Sequence, residues 1–328
     1  MKSNDVKASL NVLLKSGRPV FVWGPPGVGK SDTVRQIAKT NKLSLIDVRT
    51  LLLDPVDLRG LPHVNGDHRA HWATPDFLPR EGKGILFLDE LNAAPPLVQA
   101  ACYQLVLDRK LGEYTLPDGW NVIAAGNRDT DRAVTHRMPS ALANRFVHLE
   151  FEVDNDSWFE WAFSNDVREE VIAFIKFRPN LLHEFDPAKN DKAFPTPRSW
   201  EFVSDIIKES PASNIEYELF KGTVGEGAAT EFVSFIRIFR DLPNPDAIIL
   251  DPDGADVPKN DPAIMYALCV ALSKRATEEN FGSIVKYANR IPDEYSVLLV
   301  SDAIKRDTSI ANNSAFTLWA KKHAEIVM

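Results

Sequence analysis

Eight residues limit most strongly what this chain can fold into. Gly24-Pro25-Pro26-Gly27-Val28-Gly29-Lys30-Ser31 fits the spacing G-x-x-x-x-G-K-[ST]. Glycines in such a loop let successive backbone N–H groups turn inward around phosphate oxygens. A helix that begins where the loop ends adds its positive pole to the same anion. Lys30 is then placed to neutralise charge on β- and γ-phosphates, and the Ser31 hydroxyl to ligate Mg²⁺, with Asp32 closing the set. The flanks supply the context that the motif requires. PVFVWG before the loop reads as a short buried strand, and SDTVRQIAKT after it reads as a helix.

The rest of the first half continues that alternation. Val6, Leu10, Leu13 and Leu14 recur at helical spacing over residues 4–16, and Gly17 ends that helix. LSLIDVRT is a second strand, GILFL over 84–88 a third, NVIAAGN a fourth and VHLEFEV a fifth. Residues 97–108 and 140–146 read as helices, and residues 109–120 as a hairpin with Pro117-Asp118-Gly119 at its turn. Residues 51–80 are irregular and rich in Pro, Gly and His. Strands alternating with helices predict a parallel sheet covered on both faces. After Val153 the pattern changes. WFEWAF, VREEVIAFIKF, SWEFVSDIIKE and TEFVSFIRIFRDL all repeat at helical period, which predicts an all-α second domain. LPNPDAIILDPDGADVPKNDP reads as a linker or long loop, and a final helical block starts near residue 263.

Two further segments point at the same chemistry as the loop. Ile85-Leu86-Phe87-Leu88 would deliver Asp89 and Glu90 to the C-terminal edge of a buried strand, where ligands sit in open α/β sheets. Asp89 would hold Mg²⁺ directly or through water, and Glu90 would orient and activate the attacking water. Ala124-Ala125-Gly126-Asn127 should form a strand lying between the other two, with Asn127 beside the γ-phosphate. An amide there can hydrogen-bond both phosphate and water.

Composition sets outer bounds. A length of 328 residues suggests about two domains. The formal net charge of −8 lacks the global basic footprint of a nucleic-acid binder, although a local basic patch stays open. Cys102 and Cys269 both lie in apolar runs and belong to no CxxC pair, so they read as buried hydrophobes rather than a zinc site or a disulfide. The first residues lack a signal-peptide core and no apolar run is long enough for a bilayer, so the expectation is a cytoplasmic protein with no membrane contact. His63, His68 and His71 read as part of a polar loop, without the carboxylates or cysteines of a metal site. For Trp72 and Phe77, partner contact and local packing both stay open.

GPPGVGKS, ILFLDE and AAGN, in this order, resemble the AAA+ ATPases. DPVDLRGLP, ELNAAPPLVQAACYQLVLDRKLGEYTLPDGW and RMPSALANRF narrow the resemblance to the MoxR branch. It is strong over about residues 15–155, weaker through AFPTPRSWEFVSDII to about residue 240, and carries no motif beyond that. The resemblance implies an αβα sandwich with a parallel five-stranded sheet over 1–154, a helical lid over 155–242 and a helical C-terminal extension over 243–328. It places insertions near 55–79 and 109–120, facing the pore or the partner side of a ring. It makes Asn127 the first sensor, Arg145 in ALANRF an arginine finger that reaches the neighbouring subunit's γ-phosphate, and Arg198 in TPRSW the second sensor in cis. Arg137 in HRMP competes for the intersubunit contact. The implied activity is Mg²⁺-dependent ATP hydrolysis by a homo-oligomeric, most simply hexameric, ring. The ring would remodel, activate or mature a client protein, with a von Willebrand A domain protein as partner. The alternative is an AAA+ motor on nucleic acid or in a defence or mobile-element system, against which the acidic balance weighs.

Overall fold

The computed structural model describes residues 1–64, 66, 70–131, 136, 138–189, 191–258 and 261–323. The chain divides into two compact units, Met1–Asp154 with Asp186–Asn190, and Asn155–Phe185 with Asp191–Met328.

The first unit begins with α1 (Ser3–Ser16), β1 (Val20–Trp23), α2 (Lys30–Thr40) and β2 (Ser44–Arg49). A short α3 (Pro55–Arg59) leads into β3 (Leu61–Val64) and β4 (Ala70–Ala73). Then come β5 (Gly84–Asp89), α4 (Pro96–Asp108), β6 (Lys110–Leu111), β7 (Tyr114–Thr115), β8 (Trp120–Gly126), α5 (Ser140–Ala143) and β9 (Val147–Glu150). Five strands form one parallel sheet in the order β2-β5-β8-β1-β9. The strand that ends at Gly126 does lie between those that end at Asp89 and Trp23. β3–β4 and β6–β7 are separate antiparallel hairpins.

Side-chain alternation along the strands builds two cores, one on each face. Ile85, Phe87, Ile123, Ala125, Val20 and Val22 pack with Val6 and Leu10 of α1 and Val34 and Ile37 of α2. Leu86, Leu88, Val122, Ala124 and Phe21 pack on the opposite face with Leu58 of α3 and Val98, Cys102 and Leu105 of α4. Every residue of β5 is buried. The result is the α/β sandwich that the sequence pattern predicts.

The second unit is helical: α6 (Asn155–Ser164), α7 (Glu169–Phe177), α8 (Pro197–Lys208), α9 (Ser213–Val224), α10 (Glu226–Arg240), α11 (Pro245–Leu250), α12 (Pro262–Arg275), α13 (Phe281–Ala288), α14 (Asp293–Arg306) and α15 (Ser314–Lys322). Phe174, Trp200 and Phe232 meet edge-on or tilted with ring centroids 5.1–5.4 Å apart. A second cluster centres on Leu268, Phe281, Tyr287 and Leu299. Lys176 of α7 meets Asp302 of α14 at 2.9 Å with both side chains buried. Burial pushes the Asp302 carboxyl above its ordinary value, and Lys176 opposes that rise.

Three local readings differ in the structure. The hairpin within 109–120 turns at Gly112-Glu113, between β6 and β7, whereas Pro117-Asp118-Gly119 form the separate turn that leads into β8, closed by the Trp120 N–H on Pro117 O at 3.0 Å. The Pro- and Asp-rich stretch after residue 241 is not only a linker. It contains α11, with Pro245 at its first position, the Asn244 side chain accepting from the Asp246 N–H, and Ile248 buried. Residues 51–80 are not merely irregular, since they hold α3 and the β3–β4 hairpin. No helix among the described residues is long and apolar enough to cross a membrane.

Candidate nucleotide-binding site

Because the central sheet is parallel, β1, β5 and β8 all deliver their C-terminal ends to one edge. Register pairs Trp23 with Gly126, and Leu88 with Ala124. The next residues along these three strands are the loop starting at Gly24, the pair Asp89 and Glu90, and Asn127. Segments far apart along the chain are thereby brought together by strand order alone.

The loop's backbone is set by glycine. Gly27 and Gly29 have φ of 75° and 93°, a region costly for residues with a Cβ. Gly29 caps α2, so that helix opens directly onto the loop. Lys30 Nζ donates to Gly24 O at 2.7 Å, to Pro25 O at 3.0 Å and to Asn127 Oδ1 at 2.9 Å. Ser31 Oγ donates to Asp89 Oδ2 at 2.8 Å. The next residue, Asp32, accepts from Gln36 one turn along α2 at 2.5 Å. Loop, acidic strand end and amide strand end are thus joined by side-chain hydrogen bonds.

Asp89 is buried, 5% exposed, and its second carboxylate oxygen accepts from the Glu90 N–H at 3.1 Å. The Ser31 hydroxyl and the Asp89 carboxylate offer two hard oxygen ligands side by side. Such a set suits Mg²⁺, which prefers oxygen and keeps several waters. Glu90 is half-buried and takes a left-handed backbone, φ 58° and ψ 33°. That conformation turns the chain out of the strand directly after Asp89.

Three neighbours have no role assigned from the sequence. Thr50, fully buried after β2, donates its hydroxyl to Asp89 O at 2.8 Å. Asn92, 1% exposed, donates its amide to Asn127 O at 2.7 Å. Tyr103 of α4 lies under Arg145, whose guanidinium carbon is 4.2 Å from the ring centroid. Arg145 also donates to Ala141 O. The turn that carries Arg145 is anchored through His148: Trp23 Nε1 donates to His148 Nδ1 at 2.8 Å, which leaves Nε2 to donate to Ala143 O at 2.8 Å.

The first unit therefore brings together the loop from Gly24 to Asp32, Asp89, Glu90 and Asn127, while Arg145 takes its contacts from α4 and α5. Arg198 belongs to the second unit, exposed at the second position of α8. Arg137 and His68 lie outside the described residues. His63 and His71 face each other across β3–β4 with ring centroids 6.0 Å apart. Among the described residues, no group of three or more His, Cys, Asp and Glu is arranged to hold a metal. Trp72 is 37% exposed, whereas Phe77 packs against the core. Both thiols are buried, and burial pushes Cys102 up to about 12 and raises Cys269 as well.

One family match covers the segments that hold the loop, Asp89 and Asn127. Residues 19–146 match the family described as AAA domain (dynein-related subfamily). Midasin of Giardia intestinalis is 30% identical over 177 residues, a match covering 49% of this chain. The chain spans only 4% of that relative's length. Among solved structures, NtrX from Brucella abortus in complex with ADP aligns at 14% identity over 99% of this chain and 68% of that one, with a TM-score of 0.44. A point mutant of RuvB from Thermotoga maritima aligns at 16% identity over 82% of each chain, with a TM-score of 0.42. Residues 19–146, which hold the glycine loop, the acidic strand end and the amide strand end, are an AAA+ ATPase domain.

Proposed function

We propose that this chain is one subunit of a MoxR-type ring, most simply a hexamer, that couples Mg²⁺-dependent ATP hydrolysis to the remodelling, activation or maturation of a client protein. In this reading 1–154 is the nucleotide-binding domain, 155–242 the lid and 243–328 a helical extension. A protein with a von Willebrand A domain is the expected partner.

One observation carries the nucleotide part of the proposal: a single network links Ser31 to Asp89 and Lys30 to Asn127 at hydrogen-bond distance. The loop N–H groups and the start of α2 would bind the phosphates. Mg²⁺, held at Ser31 and Asp89, would draw charge from the phosphate oxygens. Glu90 would orient a water and accept its proton as the water oxygen bonds to the γ-phosphorus and the bond to the bridging oxygen breaks. Lys30 and Asn127 would hold the γ-phosphate in line. Arg145 would act on the neighbouring subunit's nucleotide, where a fixed guanidinium offsets charge in the transition state. Arg198 would serve as the second sensor.

Phosphate release by the purified chain, with and without Mg²⁺, tests the first half. Glu90→Gln should keep ATP binding and lower turnover by roughly 10²-fold or more. Undiminished turnover in that variant would remove Glu90 from the role of base. The same variant, loaded with ATP, should retain a protein client. Stimulation by DNA with steep salt dependence, and none by a protein, would count against the remodelling role.

A further inference from the structure

Asn92 stands in the turn Leu91–Ala93, directly after Glu90, and is 1% exposed. Its side chain crosses to another part of the chain. The amide nitrogen donates to the backbone oxygen of Asn127 at 2.7 Å, a partner 35 positions away. A carbonyl can only accept, so this contact needs the amide and not a carboxylate. The amide oxygen lies against Gly126, where a Cβ would come within 2.0 Å of it. Glycine at the end of β8 therefore permits this approach. The backbone oxygen of Asn92 is also occupied. It accepts from the His136 N–H at 2.7 Å and from Gln99 Nε2 at 3.4 Å, and Gln99 Nε2 also donates to Ala94 O at 3.0 Å.

Three pieces of chain meet on this one residue. They are the turn that carries Glu90, the strand end that carries Asn127, and His136, which precedes the segment 138–145 leading to Arg145. Asn127 in turn holds Lys30 through its side chain at 2.9 Å. None of these tethers fixes phosphate directly. They fix the separation between a residue proposed to orient water and a residue proposed to hold the γ-phosphate. Such separations have narrow tolerance, since a misplacement of about 1 Å can cost on the order of 10²-fold in rate.

We propose that Asn92 is a positioning residue that clamps the Glu90 turn to the Asn127 strand end, so that the two groups keep one spacing during ATP hydrolysis. The inference rests on the ATPase reading above. It assigns Asn92 no contact with nucleotide and makes its influence on turnover pass through Asn127.

The test is a double-mutant cycle on turnover and binding. Asn92→Asp keeps the side-chain volume and sets an oxygen against the Asn127 carbonyl. It should lower kcat about tenfold or more while leaving nucleotide affinity within about threefold. Asn92→Ala should behave alike. In an Asn127→Ala background, Asn92→Ala should cost less than about threefold further, because residues acting through one another are not additive. Wild-type kcat in Asn92→Asp would overturn the assignment, and so would losses that multiply in the double variant. Thermal melts guard the comparison: should Asn92→Ala fail to fold, the isosteric Asp variant alone decides it by its split between kcat and affinity. A wild-type chain with no turnover at all would sink the ATPase reading itself, and this inference with it.

Discussion

Lys30 is satisfied by three acceptors, two loop carbonyls and the Asn127 amide oxygen. Its ammonium therefore sits at the junction of the loop and the end of β8, where the proposed nucleotide would place its β- and γ-phosphates. Lys30→Ala removes that charge and the loop's internal tether together. Binding of a fluorescent ATP analogue should fall below detection, and affinity within about tenfold of wild type would show that the backbone N–H groups suffice. The residues with motif chemistry are readable from the sequence because their identity and spacing follow from what a phosphate needs. Asn92, Thr50 and Tyr103 are not. Each matters through a partner 35 or more positions away, and no local spacing marks an Asn that will meet another strand's carbonyl.

At the scale of elements, the buried strands announce themselves. Ile85 to Leu88 is four apolar residues ending in two acids, a pattern that fits a strand covered on both faces. The β3–β4 hairpin gives no such signal. Leu61 and Val64 are 67% and 70% exposed, so no core imposes a period of two on that sequence. The residues of α11 are hidden by their prolines, which mark a helix start as readily as a linker. α8, which carries Arg198, has a reciprocal cap. Thr196 Oγ1 accepts from the Ser199 N–H at 3.0 Å, and Ser199 Oγ accepts from the Thr196 N–H at 2.7 Å. Thr196 is buried, so water cannot replace the lost acceptor. Thr196→Ala should cost about 1–2 kcal/mol, read as a lower denaturant midpoint of the second unit. An unchanged midpoint would mean that the cap contributes nothing net.

For the whole molecule, the proposed sharing of one site between two subunits has the largest consequence. Arg145 is held outside its own loop's hydrogen-bond network, on Tyr103 and Ala141. Arg145→Ala should therefore bind ATP nearly as the wild type does and release little phosphate. Mixed with Lys30→Ala, it should regain part of the turnover, since an interface can then pair an intact loop with an intact arginine. No recovery at any mixing ratio would place Arg145 outside the neighbour's site. This prediction depends on assembly, which the order of motifs along one chain does not encode.

Glu90 shows what the site asks of the fold. It is one of the few residues without glycine's freedom that adopt a left-handed backbone, at a cost of about 1–2 kcal/mol. Glycine would take that conformation without strain. Selection for heat resistance alone would thus press against this glutamate, and on its proposed role each success would be a sturdier protein with no motor. On that proposed role, Glu90→Gly would relieve the strained turn beside Asp89 and abolish turnover, leaving a scaffold that keeps only the shape.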